Sequence, residues 1–149
     1  MRTRLLFSVL WLSLSATSAH AEWLIQPDEA RMADAPVQVI QPMSLSTQGP
    51  RITVFKPELL NQTRPPVDIL VLFAPGDSGA KPDLSTLRIH LLKFVNIDIT
   101  DRLKKYLKAD RLDVVGAEVP AGSHRIRVSL SDTNGSESQR EFRLVIRED

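Results

Sequence analysis

The clearest pattern in the chain lies near its C-terminal end. In residues 124–131, Ile126, Val128 and Leu130 alternate with Arg125, Arg127 and Ser129. In residues 141–147, Phe142, Leu144 and Ile146 share one parity, while Arg143 and Arg147 share the other. A period of two sends one set of side chains to a buried face and the other to water, so the two stretches predict a half-buried antiparallel pair. Asp132-Thr133-Asn134-Gly135 lies between them. Asn-Gly accepts the positive backbone angles of a tight hairpin turn, and residues 136–139 are expected to lengthen the loop. A slip of one residue would turn Ile126, Val128 and Leu130 to water; at about 1.5–3 kcal/mol per buried side chain, that penalty holds the register.

Shorter runs upstream have the same texture. Residues 51–55 alternate polar and apolar. Residues 67–73 are apolar apart from Asp68 and rich in β-branched residues, and are bounded by Pro65-Pro66 and Pro75-Gly76. Residues 87–92 form another run, with His90 inside it, and residues 96–100 place Ile97 and Ile99 together. Each has the length and the flanking turn residues of a strand. Residues 100–109, TDRLKKYLKA, differ: Leu103, Tyr106 and Leu107 follow a helical spacing, and Thr100 or Asp101 can cap it. This predicts a short helical insert over about 101–109 that crosses between sheets and depends on packing. Short strands, frequent turn signals and little helix predict an all-β fold, an antiparallel β-sandwich of about seven strands. No repeat of solenoid period is present.

The N-terminal third reads differently. Arg2 and Arg4 precede an apolar stretch from residue 5 to 14, and Ala19-His20-Ala21 offers small residues around a cleavable bond. That order predicts a secretory signal peptide over residues 1–21, cut after Ala21, since the apolar run is far below the roughly 20 residues of a membrane span. Residues 22–49 carry Pro27, Pro36, Pro42 and a polar tract at 44–49, and are expected to be an extension or linker. Within it, Trp23, Leu24 and Ile25 are apolar enough to dock, and Asp28 to Met32 can make one helical turn. The sandwich domain is expected over residues 50–149, and removing residues 22–45 is expected to leave it folded.

Charge and cysteine content narrow the function classes. Without Arg2 and Arg4, 17 basic residues stand against 18 acidic ones, interspersed in sign. Such a chain has no electrostatic footprint for nucleic acid and no polybasic membrane patch. The chain has no cysteine, which excludes disulfides and thiol catalysis and leaves core burial to hold the fold. The expected location is therefore the periplasm or the external medium.

At this point an ordered series of pieces is familiar. Asp83-Leu84-Ser85-Thr86-Leu87-Arg88-Ile89 comes first, then Ile97-Asp98-Ile99-Thr100, then Val119-Pro120-Ala121-Gly122-Ser123-His124-Arg125-Ile126-Arg127-Val128. Ser131-Asp132-Thr133-Asn134-Gly135 and Phe142-Arg143-Leu144-Val145-Ile146 follow. The series, over about residues 50–147, resembles bacterial immunoglobulin-like domains of exported proteins. The resemblance implies an immunoglobulin-like sandwich and no particular chemistry, since that fold hosts adhesion, spacing and binding roles. The helical insert departs from the plain pattern.

Candidate chemistry is sparse. A similar sandwich serves periplasmic copper carriers, which begin the mature chain with a histidine ligand; here that position is Glu22, and only His90 and His124 remain. Copper needs several converging donors, so no metal site is expected and both histidines are read as structural. Asp98 with Asp101, and Asp132 with Asn134, supply too few oxygens for calcium and are read as caps and turns. Asp77-Ser78-Gly79 is a loop of turn formers without a nucleophile-elbow pattern. Asp132 is placed to accept N–H bonds from the turn after it. Among the aromatics, Phe55, Phe73 and Phe142 fall on strands and are expected in the core. Trp23, Phe94 and Tyr106 are the candidate partner surface. The chain is thus read as a non-catalytic periplasmic module, without a cofactor, that binds an envelope protein or polymer; the alternative is a small metal or ligand carrier on the same fold.

Overall fold

The computed structural model of the protein describes residues 23–36, 48–58 and 62–148. The expected signal peptide and its cleavage site lie outside these residues. Seven strands are present among them: β1 (Arg51–Lys56), β2 (Val67–Ala74), β3 (Pro82–Leu92), β4 (Asn96–Asp98), β5 (Arg111–Ala117), β6 (Gly122–Asp132) and β7 (Glu137–Ile146). They form two antiparallel sheets, ordered β1-β2-β5 and β4-β3-β6-β7. The expected fold class, an antiparallel sandwich of about seven strands with a short helix, is the one observed. Constant-type immunoglobulin domains place their fourth strand beside the fifth; here the fourth pairs with the third, as a short edge of the larger sheet.

The core lies between the sheets. Val67, Ile69, Val71 and Phe73 enter it from β2, Leu87, Ile89 and Leu91 from β3, and Leu112 and Val114 from β5. Ile126, Val128 and Leu130 of β6 pair in register with Phe142, Arg140 and Ser138 of β7, and the alternation read from the sequence keeps the β6 arginines outside. The hairpin closes on Asp132, whose Oδ1 accepts the N–H groups of Asn134 and Ser136, both at 2.9 Å. Pairing resumes at Glu137, so residues 132–136 form a loop longer than the two-residue minimum, as expected, with β7 beginning at Glu137. Burial opposes the charge of Asp132. The N–H groups of Ser136, Asn134 and Gly135, with the Ser78 hydroxyl, outweigh it and hold this carboxyl below its usual range.

Three local expectations are corrected. The helical insert is shorter than 101–109: α2 (Thr100–Leu103) passes into a 3₁₀ turn at Lys104–Tyr106, and Leu107 is extended and bridges Leu112. Neither Thr100 nor Asp101 caps it; Asp98 Oδ1 accepts the Thr100 N–H at 2.8 Å. Phe55 is not in the core. Val54 pairs with Val71 and Lys56 with Leu70, so a bulge falls at Phe55 and leaves it 54% exposed.

The segment read as an extension is packed against the sandwich over residues 23–36. Leu24 and Ile25 join the core cluster, Ile25 with no exposed surface. Trp23 makes a parallel bridge to Glu118, and the Leu24 N–H donates to Glu118 O at 3.0 Å. Helix α1 (Pro27–Arg31) follows, and its Glu29 receives Arg102 through both oxygens, at 2.6 and 2.7 Å. The Arg102 hydrogen bond holds the Glu29 carboxyl below its usual range, and the Gln26 N–H adds to the effect. Further along, Lys93 Nζ donates to Ala30 O and to Asp34 Oδ1, at 3.2 and 2.7 Å. This strap ends across the tip of the β3–β4 hairpin, where the Phe94 N–H donates to Ala33 O at 2.7 Å.

Candidate functional site

The three aromatic residues singled out from the sequence occupy two places. Trp23 and Tyr106 come together beside Leu24, Arg102 and Val114, where the strap meets the 3₁₀ turn. Trp23 is 39% exposed and Tyr106 half-buried, so this corner is chiefly packing between two short segments. Phe94 stands elsewhere, at the tip of the β3–β4 hairpin, 78% exposed, with Val95 beside it at 64%. Val95 was not singled out, although the break between two strand-like runs at Lys93-Phe94-Val95-Asn96 carries the signal: apolar residues in a hairpin turn have no sheet face to bury them.

Beneath Phe94 lies a cleft of about 230 Å³. Ala35 and Pro36 of the strap line it with Phe94 and Asn96 of the hairpin, Arg125 and Arg127 of β6, and Glu141 of β7. The sheet places these arginines. His124, Ile126 and Val128 face the core, so Arg125 and Arg127 must face outward on β6. Arg127 donates from Nε and Nη2 to Glu141 Oε1 on β7, at 2.8 and 2.6 Å. Arg125 donates from Nη2 to Ala35 O at 2.6 Å, which ties the strap to the sheet face. Lys93 at the edge of the cleft has only 2% of its surface exposed and is neutralised by Asp34. The Lys93 hydrogen bond in turn holds the Asp34 carboxyl below its usual range. The two strap residues therefore help to build the cleft, a role the sequence did not signal.

The two histidines lie on opposite faces of one sheet. His90 on β3 pairs with Asp98 and Arg127 and faces outward. His124 opens the inward set of β6 and is 1% exposed, its Nε2 donating to Pro120 O at 2.8 Å. Its Nδ1 is buried without a partner among the described residues. Burial pushes the His124 pKa down, and nearby Lys93 adds to the effect. The imidazoles thus do not converge on one ion, and among the described residues no three His, Asp or Glu side chains form a group able to hold a metal.

The other polar residues are engaged in the fold. Asp98 accepts the Thr100 N–H where α2 begins, Asp132 clasps the hairpin turn, and Asp101 pairs with Lys104 at 2.6 Å. Ser78 Oγ lies 2.9 Å from Gln48 O and 3.2 Å from Asp132 Oδ2. The described helices contain none long and apolar enough to cross a membrane. None of the protein families, curated proteins or solved structures compared with the chain matches it.

Proposed function

We propose that the protein is a non-catalytic, exported immunoglobulin-like module that binds or supports another component of the bacterial envelope. The observation that carries this reading is the hairpin tip of Phe94 and Val95, two adjacent apolar side chains at 78% and 64% exposure. A single exposed apolar residue is ordinary. Here two neighbours are held out on a fixed support: the Phe94 N–H is bonded to Ala33 O, and buried Lys93, directly before them, is paired with exposed Asp34 of the strap. A rigidly mounted apolar contact beside a polar cleft has the anatomy of a binding surface. The signal-like order of residues 1–21 and the five matched sequence pieces support the export and the immunoglobulin-like assignment.

The test is retention of envelope components on the immobilised protein, with a Phe94→Ala/Val95→Ser double variant as reference. A component retained by the parent and lost by a variant of unchanged thermal midpoint supports the reading. Identical retention by both removes it.

A further inference from the structure

The outer face of the four-stranded sheet carries more cation than its own acids balance. On β6 and β7, Arg127 stands opposite Glu141 and is bonded to it. Two residues along, on the same face, Arg125 stands opposite Arg143. Like charges directly across neighbouring strands destabilise a sheet, and among the described residues neither arginine has an ion-pair partner within hydrogen-bonding reach. The Nη2 bond to Ala35 O fixes the Arg125 guanidinium and leaves its remaining donors open to the cleft. Asp34, the nearest strap carboxylate, is already bonded to Lys93. Arg88 adds to the same face, where the charge of Asp98 offsets it, so the uncompensated pair is Arg125 and Arg143.

Building on the binding role proposed above, we infer that this cleft takes a carboxylate-bearing saccharide chain. Its carboxylate lies on Arg125 in the cleft lining, with Arg143 outside the lining but directly across the ladder on β7, and a sugar ring lies against Phe94. Guanidinium groups bind carboxylates in a planar, paired geometry and are the preferred cations for that purpose. The Phe94 ring, 78% exposed at the cleft rim, offers the flat apolar surface that the C–H face of a sugar covers. Asn96 at the same rim supplies an amide for hydroxyl groups. An acidic peptide would match the arginines equally well. It is the less fitting occupant, because the lining is polar with one aromatic ring and lacks a row of apolar pockets for alternate side chains.

Calorimetric titration of the purified protein at low ionic strength tests this, with polygalacturonate, neutral dextran and poly-L-glutamate as probes. Polygalacturonate is expected to bind, weakening with added salt, and dextran is not. Arg143→Glu, a change at an exposed side chain, is expected to weaken polygalacturonate binding about tenfold while keeping or raising the thermal midpoint, since it sets an acid opposite Arg125 as Glu141 stands opposite Arg127. Phe94→Ala is expected to weaken it about fivefold. Absence of polygalacturonate binding, or unchanged binding by Arg143→Glu, overturns the inference. Equal binding of poly-L-glutamate with no effect of Phe94→Ala overturns the saccharide assignment in favour of an acidic peptide. If an envelope component is still retained through Phe94 and Val95 while polygalacturonate fails, the inference falls and the binding role stands. If both fail, both fall.

Discussion

The β6–β7 hairpin and the strap of residues 23–36 reach the same core by opposite routes. The hairpin is held by a continuous ladder from Gly122↔Ile146 to Ser131↔Glu137, between residues close in the chain. The strap is held at separate points: Ile25 in the core, Glu29 on Arg102, Asp34 on Lys93, and Ala35 O on Arg125. The three polar anchors reach partners 59, 73 and 90 residues away. A ladder repeats its chemistry at every second residue and survives the loss of one contact. A strap of anchors has no period, and each anchor matters by itself.

The largest expected effect belongs to the hairpin's inner face. Val128→Asp places a carboxylate at a position 1% exposed, opposite Ile89 and Arg140 on the neighbouring strands. Ionised and without a dry partner, it is expected to abolish cooperative unfolding, read by calorimetry or near-UV circular dichroism. Arg127→Ala on the outer face of the same strand removes a half-exposed pair with Glu141 and is expected to cost about 0.2–1 kcal/mol. Equal losses would mean that the two faces of β6 are exchanged.

Next in size is the strap. Ile25→Ala removes a side chain with no exposed surface and is expected to cost about 2–5 kcal/mol in denaturant unfolding. Arg102→Ala unties Glu29 and also releases Leu24 O. Arg102 is about a third exposed but Glu29 is buried and would lose its cation, so the cost is expected to be about 1–3 kcal/mol. Fast amide exchange through residues 23–36 with an unchanged sandwich would sharpen the comparison, since the strap would then open alone before the ladder does. If Ile25→Ala leaves the midpoint unchanged, the strap is an appendage after all, as its sequence suggested.

The apolar character of Trp23, Leu24 and Ile25 pointed to docking, and the place and the polar anchors of the strap were hidden for a physical reason. Hydrophobic periodicity reports a face, and the strap buries Leu24 and Ile25 as neighbours, with no alternation to show it. Prolines and a polar tract mark residues 22–49 as linker by composition, while the acids and bases that bind the strap carry no mark of pairing until the fold brings them together. Strand β5 was missed for a related reason. Leu112 and Val114 keep the period of two, but the next inward residue is Ala117. The register shifts there because Gly116, at φ +69°, makes a bulge with Val115. The hairpin, by contrast, was legible because each residue of β6 and β7 obeys one local rule. Of the candidate surface, exposed Phe94 was legible. The cleft was not, because Arg125, Asn96 and Ala35 meet only through sheet register and strap docking.

The smallest expected effect separates the strap's neighbourhood from the hairpin turn by pH. In the unfolded chain His124 takes up a proton near pH 6.5, and the folded imidazole resists it, because burial and Lys93 disfavour the charge. Protonation of Nδ1 would also create a buried donor without a partner. A histidine depressed in this way contributes stability that is complete above about pH 6.5 and declines as pH falls toward its folded value. Glu29, Asp34, Asp98 and Asp132 are also held below their usual values, but from a lower start. Their contribution is complete above about pH 4 and is lost only as pH falls further. The thermal midpoint is therefore expected to be level above pH 7, to fall in a first step below about pH 6.5, and to fall in a second below about pH 4. His124→Leu should flatten the first step and leave the second. Because His124 senses Lys93 and Asp34, the first step should be accompanied by faster exchange of the Phe94 amide, which is bonded to Ala33 O, and not of the Asn134 amide held by Asp132. A first step that survives His124→Leu unchanged would assign the acid sensitivity to another group and detach it from the strap.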